Sequence, residues 1–145
     1  MSMFPHAVTI YTVVEDQVTF EPDVNISVFR GALIDATKGA VISSTGMENA
    51  DAVTVYIPFD TPALDPITGV SKTYLGPKEY ERTSDKSGFW TIDTTNSFMV
   101  EGEVVVEDAD FQTMNNRYDG VYRISTVDRR DFGSHDMQHW QIGGK

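Results

Sequence analysis

Hydrophobic and polar positions alternate along most of this chain with a period of two, the spacing of a half-buried β-strand. In the first such run, one face carries every second residue, namely Val8, Ile10, Thr12 and Val14. The segments that alternate in this way cover residues 6–14, 24–36, 40–44, 51–57, 97–107 and 121–127. Gly31 interrupts the second segment, where we expect a bulge or bend. Residues 40–44 are expected to pair back after a turn at Lys38 and Gly39.

The last part of the chain predicts a β-hairpin. Residues 121–127 form its first strand, residues 128–134 supply turn chemistry, and residues 135–142 return as the partner strand with Trp140 near its end. A tryptophan in this place is either a core or lid residue of the fold or an anchor for a partner.

One helix is predicted, over residues 109–118. Phe111, Met114 and Tyr118 have the i, i+3, i+7 spacing of an amphipathic face, and Gly120 ends the segment. At two to three turns it needs packing against a sheet to be stable. Six or seven short strands and one helix indicate an all-β or β-rich α+β fold, a small antiparallel barrel or sandwich, within a single domain of residues 1–145.

Residues 60–97 form a long insert with little periodicity, broken by prolines and glycines. We expect it to be irregular except for a short strand within residues 88–92. It is rich in aromatic residues, so it is either a contact arm that orders on assembly or a loop folded over its own core. Together with the C-terminal tryptophan, its aromatic residues are our candidate interface positions: Tyr74, Tyr80, Phe89, Trp90 and Trp140.

Composition narrows the classes of function. Acidic residues outnumber basic ones 22 to 11 in 145 residues, a net charge of −11 that disfavours specific binding to nucleic acid. Such acidity either keeps the protein soluble or lines a conduit through which DNA slides. There is no cysteine, no basic leader and no apolar run long enough to span a membrane, so we expect a soluble protein that folds in a reducing cytoplasm.

Candidate chemistry is weak. His135 and His139 lie four apart, but in an extended strand they would be about 13 Å apart and could not share a metal ion. The acidic pairs fit turns and caps, and neither a nucleophile elbow nor a phosphate loop is present. We therefore predict a protein that is not an enzyme, with no catalytic residues, no cofactor and no metal.

Five segments carry a resemblance to a family of uncharacterised small proteins from tailed phages and prophages. The first four segments are His6-Ala-Val-Thr-Ile-Tyr, Arg30-Gly-Ala-Leu, Asp51-Ala-Val-Thr-Val-Tyr-Ile-Pro and Tyr122-Arg-Ile-Ser-Thr-Val-Asp. The fifth runs from Asp131-Phe-Gly-Ser through His139-Trp-Gln-Ile-Gly-Gly-Lys. More distantly, the layout is similar to phage head–tail joining proteins of the stopper or adaptor type, in which such strands build a small β-barrel.

The resemblance implies a structural virion protein of the phage neck, assembled in the bacterial host cytoplasm. It implies a ring of twelve or six copies between the portal or adaptor and the tail, with DNA passing through the lumen unbound. The insert at residues 60–97 would then carry the inter-ring or gating contact. Alternatives are a tail-terminator or baseplate component, or a carbohydrate-binding module that uses Tyr74, Tyr80 and Trp90.

Overall fold

The elements of the fold are eleven strands and two short helices within the described residues. The computed structural model describes residues 6–15, 20–37, 40–43, 46–49, 52–83, 86, 88–106, 111–118, 120–131, 133 and 138–144. In chain order they are β1 (His6–Glu15), β2 (Pro22–Thr37), β3 (Ala40–Ser43), β4 (Gly46–Asn49), β5 (Ala52–Pro58), β6 (Ala63–Leu64), β7 (Ser71–Tyr74), α1 (Pro77–Arg82), β8 (Phe89–Trp90), β9 (Ser97–Glu101), α2 (Phe111–Arg117), β10 (Val121–Arg130) and β11 (His139–Gly144).

Six of these strands close into an antiparallel barrel. Around the ring the order is β1, β9, β10, β11, β5 and β2, and β2 pairs back onto β1. The long strand β2 makes closure possible because it changes partner along its length. Its first part, Pro22 to Ala32, pairs with β1, whereas Leu33 to Thr37 pair with β5. The predicted all-β barrel is therefore confirmed.

The change of partner in β2 coincides with a bulge. Val8 pairs with Phe29, but His6 pairs with Ala32, so β2 has one extra residue between these pairs. Gly31 lies in that gap, as predicted, and its carbonyl accepts a hydrogen bond of 2.9 Å from the Thr61 hydroxyl. The bulge lets the strand bend from one side of the barrel to the other.

The larger hydrophobic core fills the barrel. All six ring strands contribute to it, and so does the insert; its buried members are Val8, Ile10, Phe29, Ala32, Val53, Val55, Ile57, Ala63, Trp90, Ile92, Met99, Tyr122, Ile124, Trp140 and Ile142. On β1 Val8 and Ile10 face this core, as the predicted alternation requires, but the strand is buried on both faces, because Tyr11 belongs to a different cluster. The insert therefore folds over its own core, which is one of the two alternatives that the sequence left open.

A second, smaller core lies on the outer face of β1 and β9. Met114 of α2 is fully buried against Tyr11, Phe98, Val100 and Val121. The rings of Tyr11 and Phe98 stack 4.8 Å apart. The predicted helix is thus confirmed in place and in the face that it buries, and it ends at Arg117.

Some predicted boundaries were wrong, each for a local reason. Residues 40–43 pair with residues 46–49 in a separate two-stranded sheet and not with β2. The insert contains β6, β7 and α1, which were not predicted because two- to six-residue elements are too short for a periodic pattern. Strand β9 ends at Glu101, because Gly102 takes a positive φ of 85°.

The C-terminal hairpin is confirmed, but its first strand is longer than predicted. β10 continues to Arg130 and pairs with β11 from Arg130↔His139 to Ile124↔Gly144. Gly143 and Gly144, beyond the predicted end of the second strand at residue 142, are strand residues in the barrel wall. The predicted start of this strand at residue 135 lies outside the described residues.

Gly144 generates a prediction about stability. A Cβ at this position would lie 2.9 Å from the Arg123 carbonyl oxygen and 2.6 Å from Met99 Cε. The backbone of β10 would have to move to relieve the first of these clashes. We expect Gly144→Ala to lower the free energy of unfolding by about 1–3 kcal/mol, measured by urea denaturation. Gly88→Ala is the control, because nothing lies within 4 Å of its added Cβ. Equal stability of the two variants would contradict the close packing of β11 against β10.

Candidate functional site

An aromatic cluster spans the barrel interior and the insert. Trp90 contacts Phe29, Tyr74 and Trp140 at ring-centroid distances of 5.0, 5.1 and 5.6 Å. Trp140 in turn contacts Tyr74 at 4.8 Å and Phe59 at 5.6 Å. All these pairs are tilted or edge-to-face, the arrangements that aromatic quadrupoles favour. The rings therefore form one continuous surface.

Strand register places the rings side by side. Thr73 and Tyr74 of β7 pair in parallel with Phe89 and Trp90 of β8, so Tyr74 and Trp90 are direct neighbours. Trp140 on β11 has Arg129 of β10 as its partner on one side. The insert thus brings two aromatic residues to the barrel end where the C-terminal hairpin supplies a third.

Arg129 lies over this surface. Its guanidinium carbon is 5.6 Å from the ring centroids of Tyr74 and Trp140 and 5.7 Å from that of Phe59, within the range of cation–π attraction. Among the described residues it makes no hydrogen bond or ion pair, unlike Arg30, which forms a salt bridge with Glu103. Its donors are therefore available to a ligand.

A bulge in β10 explains why Arg129 faces the rings. The register shifts between Ile124 and Thr126, so the alternation of the strand changes phase there. Before the shift Tyr122 and Ile124 face the core, and after it Val127 packs there. Arg129, two residues further, shares that face. Strict alternation would place Arg129 with Arg123 on the outer face.

Lys72 is the second cation at this site. Its ammonium group donates to the carbonyl oxygen of Ile26 at 2.6 Å, to Asn25 Oδ1 at 3.1 Å and to Ser27 Oγ at 3.3 Å. Burial lowers the pKa of Lys72 below its usual value, and the Asp65 carboxylate partly opposes that shift. Neutral dipoles therefore hold a half-buried positive charge against β2.

These residues surround an open cavity of about 250 Å³, which we call the aromatic pocket. It is lined by Phe59, Thr61, Pro62, Ala63, Lys72, Tyr74, Trp90, Arg129 and Trp140. The lining contains two cations and no carboxylate, in a chain whose net charge is −11. Such a pocket suits a group that combines a negative charge with an apolar or ring-shaped body.

The five candidate interface residues do not lie together. Tyr74, Trp90 and Trp140 line the aromatic pocket, and both tryptophans are almost fully buried. Phe89 is half-buried in β8, and Tyr80 of α1 is completely buried. Their assignment to an interface stays a prediction, in which Tyr74 offers the most accessible ring of the three in the pocket.

Sequence reasoning missed six of the nine residues that line the pocket, among them an aromatic residue and both cations. Phe59 lies one residue before the irregular insert and Lys72 lies within it, so no periodic pattern marked either residue as part of a site. Arg129 was assigned to a turn, because the bulge that extends β10 has no glycine or proline to mark it. Only the contacts made after folding identify them.

Other candidate chemistry is not supported in the described part of the chain. No group of three or more metal-binding side chains occurs among the described residues. His139 packs its ring 5.8 Å from Tyr56, and His135 lies outside the described residues. None of the described helices has the length and apolar character needed to cross a membrane.

The fold and the site together define a small closed antiparallel barrel with an aromatic, cationic pocket at one end. The sequence profile of a family of unknown function (DUF6751) matches residues 3–145. The chain therefore belongs to this family. Comparison with curated proteins finds no match, and comparison with solved structures finds none.

The buried phenol of Tyr80 in α1 leads to a prediction about the free energy of unfolding. Among the described residues its buried hydroxyl has no hydrogen-bond partner. The amide nitrogen of the neighbouring Asn25 donates to Phe89 O at 2.9 Å and to Lys86 O at 3.3 Å, so both of its hydrogens have other acceptors. Burial, with the nearby Asp23 carboxylate, raises the pKa of the Tyr80 phenol, and the Asn25 side chain partly opposes that shift. We expect Tyr80→Phe to leave the free energy of unfolding unchanged or to increase it by up to about 1 kcal/mol.

Tyr11→Phe is the matched control for this substitution. The Tyr11 hydroxyl donates to Val104 O and accepts from Val106 N, so its loss should cost about 1 kcal/mol or more. Urea denaturation measures both variants. A loss for Tyr80→Phe as large as that for Tyr11→Phe would contradict the unpartnered hydroxyl.

Proposed function

We propose that the chain is a ring-forming structural protein of a tailed-phage virion, a head–tail connector subunit of stopper type. The observation that carries the proposal is the closed barrel. The segments that resemble the uncharacterised phage and prophage family fall on β1, β2, β5, β10 and β11, which are five of its six strands. In joining proteins of this kind, such strands also build a small barrel, so the resemblance and the fold agree.

Closure of the barrel determines where contacts between subunits would form. Each of the six ring strands already has a neighbour on both sides, which removes the free edges that proteins use for pairing. Contacts must then come from connections that project from the barrel. These are the links between β1 and β2, between β2 and β5, and between β6 and β7.

In this proposal the ring has twelve or six copies and lies in the virion neck, between the portal or adaptor and the tail. Assembly takes place in the bacterial host cytoplasm. The chain's net charge of −11 suits a lumen through which DNA passes without adhering, because carboxylates repel phosphates.

We place the inter-ring contact at the tip of the insert, the connection between β6 and β7. Asp65 Oδ1 accepts hydrogen bonds from the backbone N–H groups of Ile67 and Thr68 at 2.9 and 3.1 Å, which orders the turn. Ile67 and Val70 are 75% and 63% exposed on it. Two apolar side chains on an ordered, projecting turn are suited to a neighbouring ring.

The double variant Ile67→Ser, Val70→Ser tests this placement. We expect the variant to fold with unchanged thermal stability, because both side chains are solvent-exposed, but to be lost from purified particles. Val105→Ser is the control, since Val105 is also exposed, at 42%, but lies outside the insert. Immunoblotting of purified particles measures incorporation, and wild-type levels of the double variant would contradict the contact.

The proposal as a whole is tested by locating the chain in the particle. Cryo-electron microscopy of particles from the phage or prophage that encodes it should place its density as a ring between portal and tail. Density at the distal end of the tail tube or in the baseplate would favour the rival structural roles. Absence from the particle would overturn the proposal.

The aromatic pocket favours a second candidate, carbohydrate binding, because Tyr74, its most accessible ring among the candidate residues, offers a face for stacking against a sugar. Tyr80 cannot take part, since it is completely buried. Binding to a glycan array that is abolished by Tyr74→Ala would support this candidate, and silence of the wild-type protein would dismiss it.

A further inference from the structure

Phe20 is an unusual surface residue. It is 71% exposed and has a φ of 59°, in the left-handed region that bulky side chains rarely adopt. It lies two residues before β2, in the connection that follows β1. The fold therefore holds a large aromatic ring outward in a backbone conformation that glycine or asparagine would fit better.

The surroundings of Phe20 are acidic. Glu15 at the end of β1, Glu21 beside Phe20 and Asp23 in β2 are all exposed. Glu15 pairs with Pro22 across the two strands, so these carboxylates lie at the same end of the barrel. We call Phe20 with Glu15, Glu21 and Asp23 the acidic tip.

The aromatic pocket has the complementary chemistry. Its walls are the rings of Phe59, Tyr74 and Trp140, and Arg129 holds a guanidinium with available donors over them. A phenyl ring would pack against these walls, and the carboxylates beside it would meet Arg129. The two surfaces are therefore complementary in charge and in the kind of side chain that each presents.

The two surfaces lie apart along β2 of one molecule. The pocket is attached to β2 at Ile26, through Lys72, and at Gly31, through Thr61. At 3.3 Å per residue these points lie about 13 Å and 30 Å along the strand from Pro22, and Phe20 lies two residues before Pro22. We therefore assign a contact between tip and pocket to different copies of the chain.

We propose that the acidic tip of one copy docks into the aromatic pocket of the next, with the Phe20 ring against the pocket aromatics and the tip carboxylates facing Arg129. Such a contact joins unlike surfaces, so it propagates from copy to copy and forms a ring when the rotation closes. The inference rests on the proposed ring assembly and deepens it by naming the contact.

Phe20→Gly separates assembly from folding. Glycine accepts the positive φ, so we expect unchanged or higher thermal stability together with self-association at least roughly tenfold weaker, measured by analytical ultracentrifugation. Phe20→Tyr should retain association. Val105→Ser is the control, because it removes an exposed apolar side chain from a connection outside both surfaces.

A charge exchange tests the pairing of the two surfaces. Glu21→Lys reverses charge at the tip and Arg129→Glu reverses it in the pocket, so each variant alone should associate weakly. Mixed together, they offer one wild-type contact and one exchanged contact, and association should return. Lys78→Glu, a reversal at an exposed residue of α1 outside both surfaces, should associate normally and should not rescue Glu21→Lys.

Disulfide trapping reads the contact directly in solution and in particles, because the chain has no cysteine of its own. Phe20→Cys and Pro62→Cys chains, mixed under mild oxidation, should form a crosslinked pair, whereas Val105→Cys and Pro62→Cys should not. If copies form a ring in particles but the first pair does not crosslink there, the docking proposal is overturned and the ring survives. If no ring exists, both proposals fall.

Discussion

Closure of the barrel depends on β2, the one strand that belongs to both sides of it. Its first part pairs with β1 and its second part with β5, and the bulge around Gly31 allows the bend between them. Without this change of partner, the two strand groups would be separate sheets with open edges. The interior core, the attachment of the insert and the position of the pocket all follow from the closed ring.

The insert contributes to this architecture rather than projecting from it. Lys72 donates to three acceptors on β2, Asn25 of β2 binds the backbone near β8, and Trp90 enters the barrel core. Polar contacts hold its two ends to the same strand, while its aromatic residues cover the barrel end. The turn between β6 and β7 carries the exposed apolar side chains of Ile67 and Val70, which makes it a second contact surface beside the pocket.

The aromatic pocket shows how a positive site arises in an acidic protein. Arg129 lies over rings without a carboxylate partner among the described residues, and Lys72 is satisfied by neutral dipoles. Neither charge is neutralised, although the chain carries twice as many acidic as basic residues. A cation kept available in this way favours an anionic partner, and the chain's own acidic tip meets that requirement.

The sequence by itself determined the six strands of the barrel, the amphipathic helix and the C-terminal hairpin, because each depends on local periodicity or turn chemistry. Tertiary structure decided what depends on register and contacts distant in sequence. The bulge in β10 moves Arg129 onto the inner face, and short pairings in the insert place Tyr74 beside Trp90. A one-residue shift in register changes which side chains share a face, and no local pattern in residues 121–130 records that shift.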